Sequence, residues 1–481
     1  MNKLDNKIVK ATKWSSITEL IAKLITPITS IILARLLTPD AFGVVATLTM
    51  IISFAEIFTD AGFQKYLIQH EFRDEIDKEE STNVAFWSNF TLSMLIWAVI
   101  GIFSEPLAAM VGNPGLGHVL TIACVSIPLA AFSSIQMALY KRSFDFKSLF
   151  KVRIAGICVP IFVTVPLAYI LKSYWALVIG TITANLVNAV LLTAFSNWKP
   201  RLYFNMQKLK SMLSFTMWSM IEAVSIWFTS YIDVFIIGIY LNEYYLGLYK
   251  TSMIMVGQIT GLITAATTPI LFSSLSRLQT DESAFKALFF KFQKIVSIFV
   301  LPIGVGIFCY NKLLTTLLLG EQWLETAPFI GLWGLTSAIT IVLSHYCSEV
   351  YRAKGRPKLS FMAQVLHIAF LWPTVYFAVQ YGYETLYIAR ASVRLQAVAV
   401  NLLIMYFVIK FPVWKMLTNI FPACLAATIM GGVAYASIHL YDALWWEITS
   451  ILLCIVTYIA IIHCFATERK YIKQFLKKIK K

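Results

Sequence analysis

The sequence has little charge for its length. Asp, Glu, Lys and Arg together make up 14% of the 481 residues, whereas 58% are hydrophobic, and the mean hydropathy is +0.72. A water-soluble domain could not hide so many apolar side chains in one core. The composition therefore excludes a soluble globular protein and predicts a membrane protein.

Paired cysteines and familiar catalytic motifs are also missing. The seven cysteines stand singly in apolar segments, with no CxxC pair and no histidine at metal-ligand spacing. The sequence contains no HExxH, GxxxxGK[ST] or GxSxG motif. We therefore predict no metal site and no cofactor, and we do not expect an enzyme.

Apolar runs long enough to cross a bilayer recur along the whole chain. A transmembrane helix needs about 20 such residues. Runs of this length lie near residues 14–37, 42–63, 84–104, 117–139, 152–171, 174–196, 213–240, 245–271, 291–309, 328–349, 361–380, 384–408, 418–437 and 445–465. They predict an all-α polytopic membrane protein with about 14 transmembrane helices.

Lys and Arg residues alternate between the two sides of the predicted membrane. Of the 40, 32 fall in or beside the two terminal segments and every second loop, 3 fall in the loops between, and the others lie inside spans. Because basic loops stay in the cytoplasm, both termini are predicted to be cytoplasmic. The net charge of +15 thus reports topology, and we expect no nucleic-acid partner.

A weak internal repeat divides the chain. At an offset of 204 residues LLTPDAFGVV falls on YLNEYYLGLY, and at an offset of 211 YKRSFDFKSLF falls on YRAKGRPKLSF. Helices 1–6 thus resemble helices 7–12, and two six-helix lobes of equal orientation imply a pseudo-twofold axis along the membrane normal. The predicted domains are an N-terminal lobe (1–204), a C-terminal lobe (205–410), helices 13–14 (411–466) and a basic cytoplasmic tail (467–481).

The first lobe also resembles a known family. The run ILARLLTPDAFGVVATLTMIISFAEIFTDAGFQKYLIQ has a Pro-x-x-Phe-Gly turn, an Asp-Ala-Gly-Phe element and a Leu-Ile-Gln close. It is similar to the amino-terminal signature of oligosaccharide flippases in the multidrug/oligosaccharidyl-lipid/polysaccharide exporter superfamily, in particular the lipopolysaccharide and exopolysaccharide translocases. The loop YKRSFDFKSLF resembles the same group.

This resemblance implies a fold, a substrate and a location. The expected fold has two six-helix lobes around a central cavity and two further helices. The expected substrate is undecaprenyl-diphosphate-linked oligosaccharide, flipped across the bacterial cytoplasmic (inner) membrane by alternating access. Polysaccharide polymerase and glycosyltransferases are the expected protein partners. A cation-coupled multidrug antiporter of the same superfamily is the alternative.

Cations inside the predicted spans are candidates for substrate binding. An ionisable group in the bilayer needs an interior, a partner or an interface, because exposure to hydrocarbon is costly. A guanidinium can hold a diphosphate through two parallel hydrogen bonds, and ammonium groups add charge. We predict that substrate is bound by Lys23, Arg35, Arg390 and Arg394.

Acidic residues inside the spans are candidates for coupling to a proton or sodium gradient. Positions 56 and 60 correspond in the repeat to Thr260 and Thr264, so the scaffold does not need charge there. Neighbouring carboxylates in a poorly screening medium favour binding of a proton or cation. The predicted ion-coupling residues are Glu19, Glu56, Asp60, Glu222 and Asp233. Snorkelling and a structural ion pair within one lobe are the alternatives.

The predicted topology can be tested by labelling single cysteines in a variant without the seven native ones. We expect Asn113→Cys and Glu321→Cys to react with a membrane-impermeant thiol reagent added outside, and Lys147→Cys and Arg356→Cys to react only after the membrane is opened. The reason is the alternation of Lys and Arg between loops. Labelling from the wrong side at any of these positions would refute the fourteen-helix topology.

Overall fold

A computed structural model describes residues 3–60, 62–441 and 443–470, and these residues form helices and connections without a β-strand. Fourteen helical segments in this described part are long and apolar enough to cross a membrane. The predicted fold class is therefore confirmed: the chain is an all-α, multi-pass membrane protein. Most of the predicted basic tail, residues 471–481, lies outside the described residues.

Contacts divide the chain into two compact units, residues 1–250 and 251–481. The described residues of the first unit form eleven α-helices and the start of a twelfth. Their bounds are α1 (Lys3–Leu36), α2 (Pro39–Asp60), α3 (Phe63–Gln69), α4 (Glu75–Ile102), α5 (Ser104–Met110), α6 (Gly117–Ala123), α7 (Ser126–Arg142), α8 (Phe146–Val159), α9 (Val165–Leu171), α10 (Trp175–Phe195) and α11 (Met206–Tyr240). A π-helical turn, Pro160–Thr164, joins α8 to α9.

The twelfth helix, α12 (Glu243–Ser276), contains the boundary between the two units. The predicted lobe boundary at residue 204 rests on the repeat and stays a prediction. The other helices of the second unit are α13 (Glu282–Cys309), α14 (Asn311–Leu318), α15 (Ala327–Thr340), α16 (Cys347–Ala353), α17 (Lys358–Val379), α18 (Tyr383–Phe407), α19 (Val413–Ile438) and α20 (Leu444–Cys464). A 3-10 turn, Glu321–Thr326, precedes α15, and a π-helical turn, Ile341–His345, follows it.

Local sequence explains where several helices begin and end. The side chains of Asp74, Asp145, Asn205 and Asp281 accept hydrogen bonds from backbone N–H groups at the starts of α4, α8, α11 and α13. Such N-caps contribute about 1 kcal/mol each. Lys172, with φ 46°, is left-handed and ends α9 three residues before α10 begins. The two apolar runs on either side of LKSY are therefore separate spans, as predicted.

In the first unit, α7 packs between α4 and α10, and the start of α11 is tied to the start of α4. Lys208 Nζ forms ion pairs with Asp77 at 2.5 Å and with Glu80 at 3.0 Å. Burial acts to lower the pKa of Lys208, but the two ion pairs outweigh it and raise that pKa. The charges beside this predicted cytoplasmic face thus hold two spans together.

The first turns of α2 and α12 approach each other through glycine. A methyl group on Gly43 would overlap the carbonyl oxygen of Glu243, and one on Gly247 would overlap the carbonyl oxygen of Pro39. The two contacts are reciprocal. Gly43 and Gly247 are 204 residues apart, as are Pro39 and Glu243, and this distance is the offset of the sequence repeat. The repeated segments therefore meet backbone to backbone at equivalent positions.

In the second unit, α13 packs between α15 and α19, and the last span, α20, packs on α19. Apolar side chains from these helices and their neighbours form the largest buried cluster of the described residues, including Phe289, Ala338 and Met430. The hydroxyl of Tyr458 on α20 donates a hydrogen bond to the carbonyl of Ile298 on α13 at 2.7 Å. The two carboxyl-terminal spans are thus integral to this unit.

The fourth and sixth spans of each repeat make the same kind of polar contact. In the first unit Gln136 on α7 donates to Thr193 on α10 at 3.2 Å. In the second unit Asn401 on α18 donates to Ser344, in the π-helical turn after α15, at 2.9 Å. Both pairs are separated by 57 residues along the chain. Equal spacing of equivalent contacts agrees with the repeat.

One position chosen for topology labelling has a different environment from the expected exposed loop. Asn113 is buried, and its side-chain amide donates a hydrogen bond to the Thr47 hydroxyl at 2.7 Å. Its neighbour Pro114 is exposed, as is Glu321. The sequence pattern places a loop here correctly, but the loop folds back on α2, so Pro114 is the better labelling position.

The close approach of α2 and α12 yields a stability prediction. Gly43→Ala and Gly247→Ala should each lower the free energy of unfolding by about 1–3 kcal/mol, because a methyl group there must displace a backbone carbonyl. Thermal unfolding of the purified protein in detergent measures the effect. Gly257→Ala is the matched control on α12, because nothing lies within 4 Å of a methyl group at that position. Equal melting temperatures for all three variants would contradict this account of the contact.

Candidate functional site

Two of the predicted substrate-binding residues lie together in the second unit. Arg390 and Arg394, one turn apart on α18, both lie against the indole ring of Trp333 on α15. The guanidinium carbons are 5.0 Å and 3.9 Å from the ring centroid. Arg394 also donates a hydrogen bond to the Ser337 hydroxyl at 2.6 Å. The ring stabilises the two cations through cation–π contacts.

Burial makes this arrangement unusual. Arg390 is only 7% exposed and Trp333 6% exposed, whereas Arg394 is half-buried. A buried guanidinium keeps its charge, so it must be stabilised by partners within the protein. An aromatic face, a serine hydroxyl and two guanidinium groups provide a concentrated positive site inside a helix pair.

The arginines belong to a longer polar stripe that follows α18. Towards the amino-terminal end of α18, the Tyr383 hydroxyl contacts the Thr326 hydroxyl at 3.3 Å, and Tyr387 stacks on Phe329. Towards the other end, Asn401 contacts Ser344 and also accepts a hydrogen bond from the Tyr351 hydroxyl. The spacing of three and four residues keeps the stripe on the helix face that packs against α15 and its neighbouring turns.

Two histidines lie near this stripe. His345 Nε2 is 3.1 Å from the Thr268 hydroxyl, and His367 Nδ1 is 3.2 Å from Oε1 of Gln396. Both rings are half-buried and hydrogen-bonded. They complete a set of polar groups contributed by α12, α15, α17 and α18.

Trp333 is the residue of this site that sequence reasoning missed. The sequence contains 13 tryptophans, and nothing in the local pattern marks this one. The usable signal is its distance along the chain. Trp333 is 57 residues before Arg390, the spacing that the structure shows for several contacts between these two segments.

Asp233 is the best-defined of the predicted ion-coupling residues. It lies on α11, is 1% exposed, and accepts a hydrogen bond from the Tyr249 hydroxyl on α12 at 2.7 Å. Close by, Lys250 donates to the Ser230 carbonyl at 3.3 Å and lies 5.0 Å from the centroid of the Tyr231 ring. The first unit therefore holds a buried carboxyl group and an ammonium group on the same pair of helices.

The remaining predicted residues of the first unit lie on two helices with different neighbours. Glu19 and Arg35 are exposed and Lys23 is half-buried, all on α1, which packs on α8 and α9. Glu56 is half-buried on α2, which packs on α11, α4 and α7. A cavity shared by these residues stays a prediction, as does the association of Arg35 with the arginine pair.

Two predicted ion-coupling residues can be placed only by their backbone. Asp60 and Glu222 are helical, in α2 and α11, but their side chains lie outside the part of the chain that the structure describes. Near Glu56, the indole nitrogen of Trp227 on α11 donates to the Ser53 hydroxyl at 3.1 Å. Among the described residues, no group of three or more His, Cys, Asp or Glu side chains could hold a metal ion.

Comparison with known proteins identifies the family. A family model for polysaccharide biosynthesis proteins matches residues 32–328, more than half of the chain. This chain belongs to the polysaccharide biosynthesis protein family. The resemblance seen in the amino-terminal run is thereby confirmed.

Three relatives of this polysaccharide biosynthesis protein are known by sequence. An uncharacterized membrane protein in the cps region of Klebsiella pneumoniae is 24% identical over 85% of this chain and 83% of its own length. The succinoglycan biosynthesis transport protein ExoT of Rhizobium meliloti is 24% identical over 64% of this chain and 62% of its own length. The lipopolysaccharide biosynthesis protein WzxC of Escherichia coli is 21% identical over 77% of this chain and 75% of its own length.

Solved structures show the same fold. The lipid II flippase MurJ in an inward closed conformation gives a TM-score of 0.73 at 15% identity, covering 94% of this chain and 98% of that structure. An inward-facing multidrug resistance transporter of the MATE family gives a TM-score of 0.59 at 14% identity, covering 85% of this chain and 98% of that structure. This polysaccharide biosynthesis protein therefore has the fold shared by MurJ and the MATE transporters.

Proposed function

We propose that this protein is a flippase that moves undecaprenyl-diphosphate-linked oligosaccharide from the cytoplasmic to the outer leaflet of the inner membrane, for surface polysaccharide biosynthesis. The single observation that carries the proposal is the pair of guanidinium groups on Trp333. The names of ExoT and WzxC, which refer to succinoglycan transport and lipopolysaccharide biosynthesis, support it. The fold shared with a lipid II flippase supports the reaction class.

The chemistry of the arginine pair suits a diphosphate. Each guanidinium offers planar pairs of N–H donors that match two phosphate oxygens, and it stays charged at every physiological pH. Two of them one helical turn apart can bind the two adjacent phosphates of a diphosphate. Arg390 is buried, and a surrounding of low dielectric constant strengthens such contacts relative to bulk solvent.

We infer that the movement is alternating access and that carboxyl groups in the spans couple it to a proton or sodium gradient. Asp233 is the strongest candidate, because it is buried and its partner Tyr249 can donate to the carboxylate and to a protonated carboxyl alike. A buried carboxyl group that changes its protonation or cation state between two conformations would shift their populations. Glu56 and Asp60 are the further candidates, on α2.

Substitution of the arginine pair tests the proposed substrate contact. Arg390→Ala and Arg394→Ala should each reduce translocation of lipid-linked oligosaccharide in vesicles about tenfold or more, because a charge-assisted hydrogen bond contributes about 1.5–3 kcal/mol. Lysine at either position should restore translocation only in part, since it cannot bind two oxygens in one plane.

Membrane abundance and the melting temperature in detergent must be measured alongside, so that misfolding is separated from loss of binding. Arg356→Ala, an exposed position, is the matched control and should keep normal translocation. Normal flux in the double variant Arg390→Ala/Arg394→Ala would mean that the arginines are structural. Loss of drug efflux with unchanged glycolipid flux would assign the protein to the antiporters instead.

Neutral substitutions test the proposed coupling. We expect Asp233→Asn, Glu56→Gln or Asp60→Asn to leave insertion and substrate binding intact, while translocation no longer responds to an imposed pH or sodium gradient in at least one variant. The reason is that an amide cannot take up a proton or a cation as a carboxylate does. Glu321→Gln, on an exposed segment, is the control. Unchanged gradient dependence in all three variants would leave these acids as structural residues.

A further inference from the structure

The first unit contains a second polar site, far along the sequence from the arginine pair. A cavity of about 790 Å³ lies between the start of α4, the end of α7 and the connection from α10 to α11. All three segments are on the side predicted to face the cytoplasm. Its lining includes Glu75, Lys78, Glu79, Tyr140, Trp198 and Arg201.

Two hydrogen-bonding groups at this cavity have no partner within the protein. The hydroxyl of Tyr140 and the indole N–H of Trp198 are both shielded by their surroundings and make no hydrogen bond in the described structure. Tyr140 as a whole is only 9% exposed. Leaving such a buried group unsatisfied is unfavourable. Both residues line the cavity, so a polar ligand that reaches these two groups would satisfy them.

The charges around the cavity are of both signs: four basic and three acidic side chains line it, because Arg142, Asp145 and Lys199 lie there as well. Glu75 pairs with Lys78 at 2.9 Å, and Glu79 pairs with Arg201 at 2.8 Å. Arg142 at the rim donates to backbone carbonyls of the α3 segment. A lining that holds both acids and bases complements a ligand that carries one positive and one negative group. A diphosphate carries no positive group, so it could not use the three carboxylates of this lining.

The same three helices form an apolar groove beyond this cavity. The groove has a volume of about 650 Å³, with α7 as its floor and α4 and α10 as its walls. Phe90, the first groove residue on α4, is eight residues or roughly 12 Å beyond Thr82, the last cavity residue on α4. On α10 the two regions adjoin, since Ala194 lines the groove and Phe195 the cavity.

We propose that this cleft is a binding site for one zwitterionic phospholipid of the inner leaflet. The headgroup occupies the cavity, where the phosphate accepts hydrogen bonds from Tyr140 and Trp198 and the amine lies by the carboxylates. One acyl chain lies in the groove against α7. The order of polar cavity and apolar groove along the helices matches a lipid standing in its ordinary orientation in the cytoplasmic leaflet.

Lipid binding can be measured by native mass spectrometry of the full chain in detergent, titrated with dioleoyl phosphatidylethanolamine. Tyr140→Phe removes only the hydroxyl and should weaken binding about three- to tenfold, the effect of one hydrogen bond. Val190→Trp fills the groove from an exposed position on α10 and should weaken binding by about tenfold or more, because it displaces several methylene groups of the chain.

Two matched controls separate lipid binding from stability. Val456→Trp places the same bulk on an exposed position of α20 and should leave binding unchanged. Tyr458→Phe removes a hydroxyl of similar burial that does have a protein partner. We therefore expect Tyr458→Phe to lower the melting temperature in lipid-free detergent without affecting lipid binding. Tyr140→Phe should instead weaken lipid binding without lowering that melting temperature.

The choice of probe distinguishes the phospholipid from the transported substrate. Phosphatidylethanolamine should bind at least tenfold more tightly than phosphatidylglycerol or a polyprenyl diphosphate, and Tyr140→Phe should reduce that preference. The proposal is overturned if the polyprenyl diphosphate binds as tightly and is lost in the same variants, because the cleft would then belong to the substrate. It is equally overturned if phosphatidylglycerol binds as tightly, or if neither variant changes the binding of phosphatidylethanolamine.

Discussion

Charge inside hydrocarbon is the constraint on which this structure depends. Lipid cannot solvate an ion, so every charged side chain in a span must find its stabilisation within the protein or at an interface. Arg390 and Arg394 do so on the face of Trp333, and Asp233 does so at the hydroxyl of Tyr249. In each case the partner comes from another helix, so the charges fix how the helices pair.

The number and position of the spans could be predicted from sequence because hydrophobic length and the Lys and Arg count are properties of single segments. The residues that stabilise the charges inside the spans could not be predicted in this way. Trp333 and Tyr249 are ordinary aromatic residues in their own segments, and they become part of a site only through helix packing. The buried Asn113 illustrates the same limit, since its hydrogen bond to Thr47 on α2 is a tertiary contact that the loop sequence does not reveal.

The repeated scaffold supports different chemistry in its two copies. The Gln136–Thr193 contact and the Ser344–Asn401 contact are related by a shift of 208 residues. The same shift makes Ile182 and Leu186 equivalent to Arg390 and Arg394. One copy thus carries cations between its fourth and sixth spans where the other carries aliphatic side chains, and Leu186 there lines an apolar groove. The same backbone arrangement therefore carries charged side chains in one copy and apolar side chains in the other.

The shared indole ring makes the two arginines energetically inseparable. With one guanidinium removed, the other keeps the ring and loses a like-charged neighbour, so its own stabilisation changes. No single substitution then measures the contribution of one arginine, and the sum of two single effects need not equal the double effect. The proposed substrate site in this part of the protein is a three-residue assembly, and Trp333 is the member that contacts both arginines.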